Sequence, residues 1–419
     1  MKNKLSKYIL THDAFEIDVL KSKGVWVVDR KGKEYLDCDS QYASQALGWN
    51  HPKLIAQKDR LAQAALHKIA NSDVYTHEYL EFVTSFASIC GDFSHFFFIE
   101  GGTLGTENAL KAAFDWKANI LGIEDPYTNK LDIIHLKQAF HGRSGYTLSL
   151  TNTLPDKTDL FPKFNWTRIT NPALKFPAAT GPTIMSWTVE ETRKLESESL
   201  EQAEKALKTN LVAAIILEPI QGEGGDNHFS PEYFNHLRKL ADKYQAMLIL
   251  DEVQTGIGMT GKMWAYQHFG IVPDMICFGK KTQVCGFCST NRIDVADRNV
   301  FNTQSRINST WGGNIVDMVR FTIINKVIKE EKLVDNARKV GKHLLEKLKE
   351  LPLRNVRGRG LLIAFDLENR EARNKFLEKA KKKMTILPCG ERSIRLRPSL
   401  IMNKEEADLV YEALKETIS

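Results

Sequence analysis

Apolar residues along this chain fall into two rhythms, and their alternation predicts the fold. Short continuous runs at residues 95–99, 131–136, 212–217, 247–250 and 275–278 are too brief for stable helices and read as buried strands. Between them, apolar positions recur every three or four residues over 52–70, 77–90, 107–118, 189–208 and 231–244, which predicts amphipathic helices. Apolar strands alternating with such helices describe an α/β domain with a mainly parallel sheet. Ahead of it, residues 25–29 and 31–37 flank a charged, Gly-containing turn and read as a hairpin.

After about Val316 the rhythm changes. One long helix is expected over 317–351, then a strand at 361–367, a helix at 369–383, a strand at 394–397 and a last helix at 404–418. That order describes an α+β unit. The expected division is an N-terminal segment 1–75 that contributes to the small domain, a large domain 76–320 and a C-terminal small domain 321–419. No repeat or low-complexity linker separates them, so the long helix is read as a bridge between packed domains.

Composition narrows the function classes. The 419 residues are 42% hydrophobic and 26% charged, as in an ordinary globular protein, and can bury a large core. The net charge of +6 is dispersed; its densest clusters, 379–383 and 392–397, lack interleaved aromatics, which argues against nucleic acid. Six cysteines are too few for a disulfide scaffold, and Cys285-Gly286-Phe287-Cys288 has no second ligand pair, so no metal site is expected. Residues 1–15 have no continuous apolar core, and no apolar run approaches the roughly 18 residues of a membrane span. A cytoplasmic protein without membrane partners is expected.

Three features carry candidate chemistry. The run 95–99 leads through Gly101-Gly102-Thr103 into a helix, which is either a plain turn or an anion site built from free N–H groups and the helix dipole. Asp251 ends the strand 247–250, where open α/β sheets bind ligands, and an aspartate buried there needs a partner. Lys280 and Lys281 follow the run 275–278. They either solvate a loop or include a desolvated amine fit for Schiff-base chemistry. Phosphate turn, strand-end aspartate and strand-end lysine, in that order, are the parts a pyridoxal-phosphate enzyme requires.

Longer matches sharpen this reading. The turn around Gly102, the segment from Leu250 to Gly256, Lys280 six residues after Asp274, and Ser309 to Asn314 together resemble the motifs of class III pyridoxal-phosphate aminotransferases over most of the chain. Three stretches, 108–117, 278–286 and 308–314, resemble the branch that acts on the ε-amino group of lysine. The resemblance implies the fold type I architecture, a large domain with a mainly parallel sheet plus a smaller α+β domain. It implies pyridoxal 5'-phosphate as cofactor, L-lysine and 2-oxoglutarate as substrates, and a homodimer with active sites at the subunit interface.

It also implies roles. Lys280, rather than Lys281, would hold the cofactor aldehyde and move the proton; Asp251 would face the pyridine nitrogen and Gln254 the ring's phenolic oxygen. Gly102 and Thr103 would cradle the phosphate, Phe140 would stack on the ring, and Thr310 would reach the neighbouring subunit's phosphate, with Asn308 beside the substrate. Arg395 would bind the substrate carboxylate, with Arg143 as second anchor. Glu223 would mask Arg395 during the lysine half-reaction and swing away for 2-oxoglutarate. Lys281 stands where the family has a small residue, Met259 where it often has arginine, and Thr103 adds a hydroxyl to the phosphate turn. Ornithine or 4-aminobutyrate remains an alternative donor, and a non-catalytic cofactor binder would lack a lysine or arginine that is present here.

Overall fold

A computed structural model describes residues 15–125, 127, 130–176 and 190–418. The N-terminal stretch read against a signal peptide lies outside these residues except for Phe15, as does Val189, the expected start of one helix.

The centre of the molecule is a seven-stranded sheet ordered β3-β9-β8-β7-β6-β4-β5. Its strands are β3 (His95–Ile99), β4 (Asp132–Leu136), β5 (Arg168–Ile169), β6 (Val212–Leu217), β7 (Met247–Asp251), β8 (Met275–Phe278) and β9 (Cys285–Ser289). From β5 to β8 every pairing is parallel, and β9 runs antiparallel between β8 and β3. The apolar runs are continuous because both faces are covered. Along β7, Leu248 and Leu250 enter one core cluster with Ile215, Leu217 and Ile276, whereas Met247 and Ile249 enter another with Ala109, Ile133 and Met275. The period of two thus survives as a choice between two cores.

Helix Gly102–Leu121 covers one of these faces, packed on β6, β8 and β9. Its N-cap, Gly101, has φ +96° and gives no side-chain cap. Helix Pro231–Lys243 packs on β6 and β7.

Two smaller sheets complete the fold. The hairpin β1 (Trp26–Val28) and β2 (Glu34–Asp37) is joined in parallel by β12 (Met384–Thr385), so the N-terminal segment pairs with the C-terminal region. The other sheet, β10-β11-β14-β13, contains β10 (Arg354–Arg359), β11 (Leu362–Asp366), β13 (Leu387–Cys389) and β14 (Ser393–Leu396). β14 lies between β11 and β13, so it is an inner strand rather than a solvated edge.

Two expectations change, and the CxxC sequence finds its place. The helix expected over 52–70 is two short pieces, Pro52–Ile55 and Lys58–Ala64. The long helix after Val316 is broken into Ile315–Glu330 and Leu333–Leu348, with Lys332 at φ +52°. The break falls in an exposed charged stretch with no apolar face to keep aligned, and Lys53 bonds Glu330 at 2.7 Å and Glu331 at 3.0 Å there. The CxxC sequence forms strand β9, which carries Cys285 into the cavity lining and Cys288 into the core beside Cys90.

The approach of helix Gly102–Leu121 to β9 sets the position of its N-terminus. A Cβ on Gly105 would lie 2.7 Å from the Gly286 carbonyl oxygen. Gly105→Ala is therefore expected to destabilise the protein by about 1–3 kcal/mol through overpacking. This exceeds the roughly 1 kcal/mol of helix propensity that alanine contributes. A thermal unfolding midpoint at or above that of the wild type would refute the steric argument.

Candidate active site

The C-terminal ends of β4, β6, β7 and β8 open onto one cavity of about 1080 Å³. Crossover connections in a parallel sheet place strand ends, and the loops after them, on one edge where ligands bind. The loop after β4 brings Phe140, His141 and Arg143; β6 is followed by Glu218; β7 ends at Asp251, followed by Gln254; β8 is followed by Lys280. Gly102 and Thr103, Glu223, and Arg395 of β14 complete the set. The structure thus brings together nine of the residues singled out from sequence: Gly102, Thr103, Phe140, Arg143, Glu223, Asp251, Gln254, Lys280 and Arg395.

At the floor, Asp251 is buried, and its Oδ2 accepts a 2.8 Å hydrogen bond from His141 Nδ1. Burial alone would push the imidazole pKa down, but the bond to Asp251 and its charge hold it above the ordinary value. The bond to Asp251 thus favours the charged form of the imidazole. Val253 N donates to Asp251 Oδ1 at 3.1 Å. Glu218 accepts from Phe140 N at 3.0 Å and Gly222 N at 2.9 Å. Burial raises the Glu218 carboxyl to about 7 despite the nearby His141.

Gln254 is oriented by its neighbour. Its Oε1 accepts from Arg397 Nε at 3.0 Å, which leaves the amide nitrogen as the group free to donate elsewhere. Arg397 is itself buried and ion-paired to Asp226. A Cβ on Gly222 would stand 2.5 Å from Gln254 Oε1, so only glycine leaves room for this amide.

The two lysines separate in opposite directions. Lys280, at φ +56°, lines the cavity, and burial lowers its pKa against the opposing pull of Asp251. Lys281 is 2% exposed. Its Nζ donates to Ala43 O at 3.1 Å and Gln254 O at 3.0 Å, so the loop-solvating reading fails for this residue.

Around the rim, Thr103 Oγ1 shares 2.8 Å hydrogen bonds with Ser144 Oγ and Thr147 Oγ1, beside the uncapped helix N-terminus. Arg395 Nη2 donates to Glu223 Oε2 at 2.8 Å. The Arg395 Nε and Nη1 atoms are buried without a hydrogen-bond partner among the described residues. Arg143 is exposed and has no ion pair among the described residues. Asn308 and Thr310 are not brought to this cavity. Both are exposed, and the Thr310 carbonyl accepts from Ser72 Oγ at 3.2 Å.

Four further residues were passed over in sequence. Glu218 and His141 sat inside quoted segments without a role. Glu218 directly follows an all-apolar strand, the same signal that marked Asp251, and could have been found by it. Arg397 gave only the alternation Arg-x-Arg, and Lys157, in the turn Pro155–Lys157, gave no signal at all.

An anion-ready helix end, a strand-end aspartate and a half-buried lysine just after the next strand are the parts a pyridoxal-phosphate enzyme requires. The class III aminotransferase family model matches residues 9–418, and the chain belongs to that family. The L-lysine-epsilon aminotransferase of Amycolatopsis lactamdurans is 45% identical over 437 residues, covering 100% of this chain and 95% of the relative. That of Streptomyces clavuligerus is 44% identical over 421 residues, covering 96% and 90%. The solved lysine aminotransferase from M. tuberculosis matches with a TM-score of 0.93 at 42% identity, covering 100% of this chain and 98% of that chain. The architecture is fold type I of the pyridoxal-phosphate-dependent transferases.

The environment of Lys281 gives a pH test. Burial, reinforced by Lys280 and Arg397, lowers its pKa to about 7, against about 10.4 in an unfolded chain. Between those values the unfolded chain binds more protons, so stability rises with pH. The unfolding midpoint of the wild type relative to Lys281→Met is expected to climb from pH 7 to pH 10. A difference that stays flat over that range would show that Lys281 does not titrate there.

Proposed function

We propose that this chain is an L-lysine ε-aminotransferase that uses pyridoxal 5'-phosphate to move the ε-amino group of L-lysine to 2-oxoglutarate. The products are 2-aminoadipate 6-semialdehyde, which can cyclise, and L-glutamate. The observation that carries the reading is Arg395. Its guanidinium is buried and tied to Glu223 through one nitrogen, with two further nitrogens unpartnered among the described residues. A planar fork of that kind suits a carboxylate, and it shares one cavity with Lys280 and Asp251.

The residues present fit the cofactor. Thr103, Ser144 and the uncapped helix N-terminus suit its phosphate, Phe140 its ring face, Asp251 its pyridine nitrogen and Gln254 its phenolic oxygen. When bound, the protonated ring acts as an electron sink for the carbon that carries the amino group. His141 aims the Asp251 carboxylate, and Arg397 aims the Gln254 amide. Lys280 would hold the cofactor's aldehyde carbon, and its lowered pKa favours the neutral amine that such a role, and proton movement at Nζ, would require.

Glu223 neutralises Arg395 when the ε-amine of lysine enters and withdraws when 2-oxoglutarate brings its carboxylates to Arg395 and Arg143. The exposure of Asn308 and Thr310 supports their service in the neighbouring subunit of a homodimer. We assign the enzyme to the cytoplasm. Among the described residues no helix is long and apolar enough to cross a membrane.

The test is the visible spectrum of the purified, cofactor-reconstituted protein. L-Lysine is expected to discharge the band of the lysine-bound cofactor faster than ornithine or 4-aminobutyrate, and 2-oxoglutarate to restore it. Lys280→Ala should remove the band, whereas Lys281→Met should retain it. A wild-type protein that shows no such band when fully reconstituted would sink the reading. Separately, Glu223→Ala should change the two half-reactions unequally; rates for both within a factor of two of wild type would dismiss the gate.

A further inference from the structure

The three carboxylates lining the cavity differ in what holds them. Asp251 is fixed by His141 and Val253 N, and Glu218 by two backbone N–H groups. Glu223 alone bridges two cationic side chains. Its Oε2 accepts from Arg395 Nη2 at 2.8 Å, and its Oε1 accepts from Lys157 Nζ. Arg395 reaches it from β14 and is 5% exposed; Lys157 reaches it from the turn Pro155–Lys157 and is 25% exposed. Lys157 Nζ also stands 5.6 Å from the centre of the Phe140 ring, so it lies at the rim directly above the candidate stacking residue. Burial would raise the Glu223 carboxyl, and the two cations together hold it below the usual range.

We infer that Lys157 is a positioning residue that retains the Glu223 carboxylate when Arg395 is released to a substrate carboxylate, and so sets how readily the site accepts a 2-oxo diacid. This deepens the gate reading above and rests on it. In the resting arrangement two cations and one anion leave a single positive charge. A carboxylate arriving on Arg395 brings the group to neutrality, and Glu223 exchanges only one of its two contacts. Without Lys157 the same arrival leaves one uncompensated negative charge, and Glu223 must leave Arg395 for no partner. A half-buried carboxylate without a partner is costly, so the closed state would persist. The lysine half-reaction keeps Glu223 on Arg395 throughout and makes no such demand.

The experiment compares Lys157→Met and Lys157→Arg, each in the wild-type and Glu223→Ala holoenzymes, by following both half-reactions spectroscopically. Lys157→Met is expected to raise the 2-oxoglutarate concentration for half-maximal rate about tenfold more than it alters the corresponding L-lysine concentration. Lys157→Arg should restore most of that difference. In the Glu223→Ala background, Lys157→Met should add no further asymmetry. Equal losses in both half-reactions would reduce Lys157 to a structural role and overturn the proposal. An undiminished effect in the Glu223→Ala background would also overturn it, because Lys157 would then touch the diacid directly. If Glu223→Ala alone leaves both half-reactions unchanged, the gate itself is wrong and this proposal falls with it. An effect of Glu223→Ala without any effect of Lys157→Met rejects Lys157 while leaving the gate standing.

Discussion

The site depends on keeping charged groups in a nearly dry sheet end, where each must have a defined partner. An ion moved out of water loses several kcal/mol of solvation, and only well-placed opposite charges or hydrogen bonds offset it. The parallel sheet supplies the placement. Because β7 and β8 pair in register, with Asp251 opposite Cys277, the loop after β8 returns Lys280 to within the influence of the Asp251 carboxylate. Behind it, His141 supplies the hydrogen-bond partner that keeps Asp251 from standing alone. The same rule governs the Arg397–Asp226 and Arg395–Glu223 pairs, which tie the end of the antiparallel sheet at β14 to the loop after β6.

This explains what could be read from the sequence. The strands were legible because a fully covered parallel strand has to be apolar at every position, and a lone charge at its end then stands out. Lys280 and Asp251 were found on that ground, and the anion-ready turn on the ground of a glycine run before a helix. The inner position of β14 was not legible, because Ile-Arg-Leu-Arg alternation is what an exposed edge strand would show. Only its pairing with β11 and β13 makes Arg395 interior, and Arg397, just past the strand, is buried on Asp226 and Gln254. The break at Lys332 was equally hidden, since no glycine or proline marks it.

Contacts across the fold were the least accessible. Arg395 and Glu223 are 172 positions apart, and Lys157 and Glu223 are 66 apart. No local pattern encodes either separation. The resemblance supplied the first pair because family members share it as a motif. Lys157 lies in a Pro-Asp-Lys turn that reads as solvated, and only the folded chain brings it to the same carboxylate.

Lys281 shows how the dry-charge constraint reaches beyond the chemistry. Residues 40–43 run through four consecutive left-handed conformations, with φ of 44°, 54°, 58° and 66°, and none is glycine. Such a turn costs roughly 1–2 kcal/mol per residue, so it persists only where surrounding contacts over-determine it. Asp37 Oδ1 accepts from Ser40 N at 2.8 Å, Ser40 Oγ donates to Arg397 O at 2.6 Å, and Lys281 Nζ donates to Ala43 O at 3.1 Å. Gln283 adds a 3.2 Å bond to Ser44 O. The result places Tyr42 and Ser44 in the cavity lining with Lys280. Consecutive lysines therefore divide the work of one strand end. The first faces the cavity with its pKa lowered, and the second turns inward and binds a strained N-terminal turn to the backbone of β7's loop. A small residue at position 281, as the family usually has, would leave the Ala43 and Gln254 carbonyls without this donor.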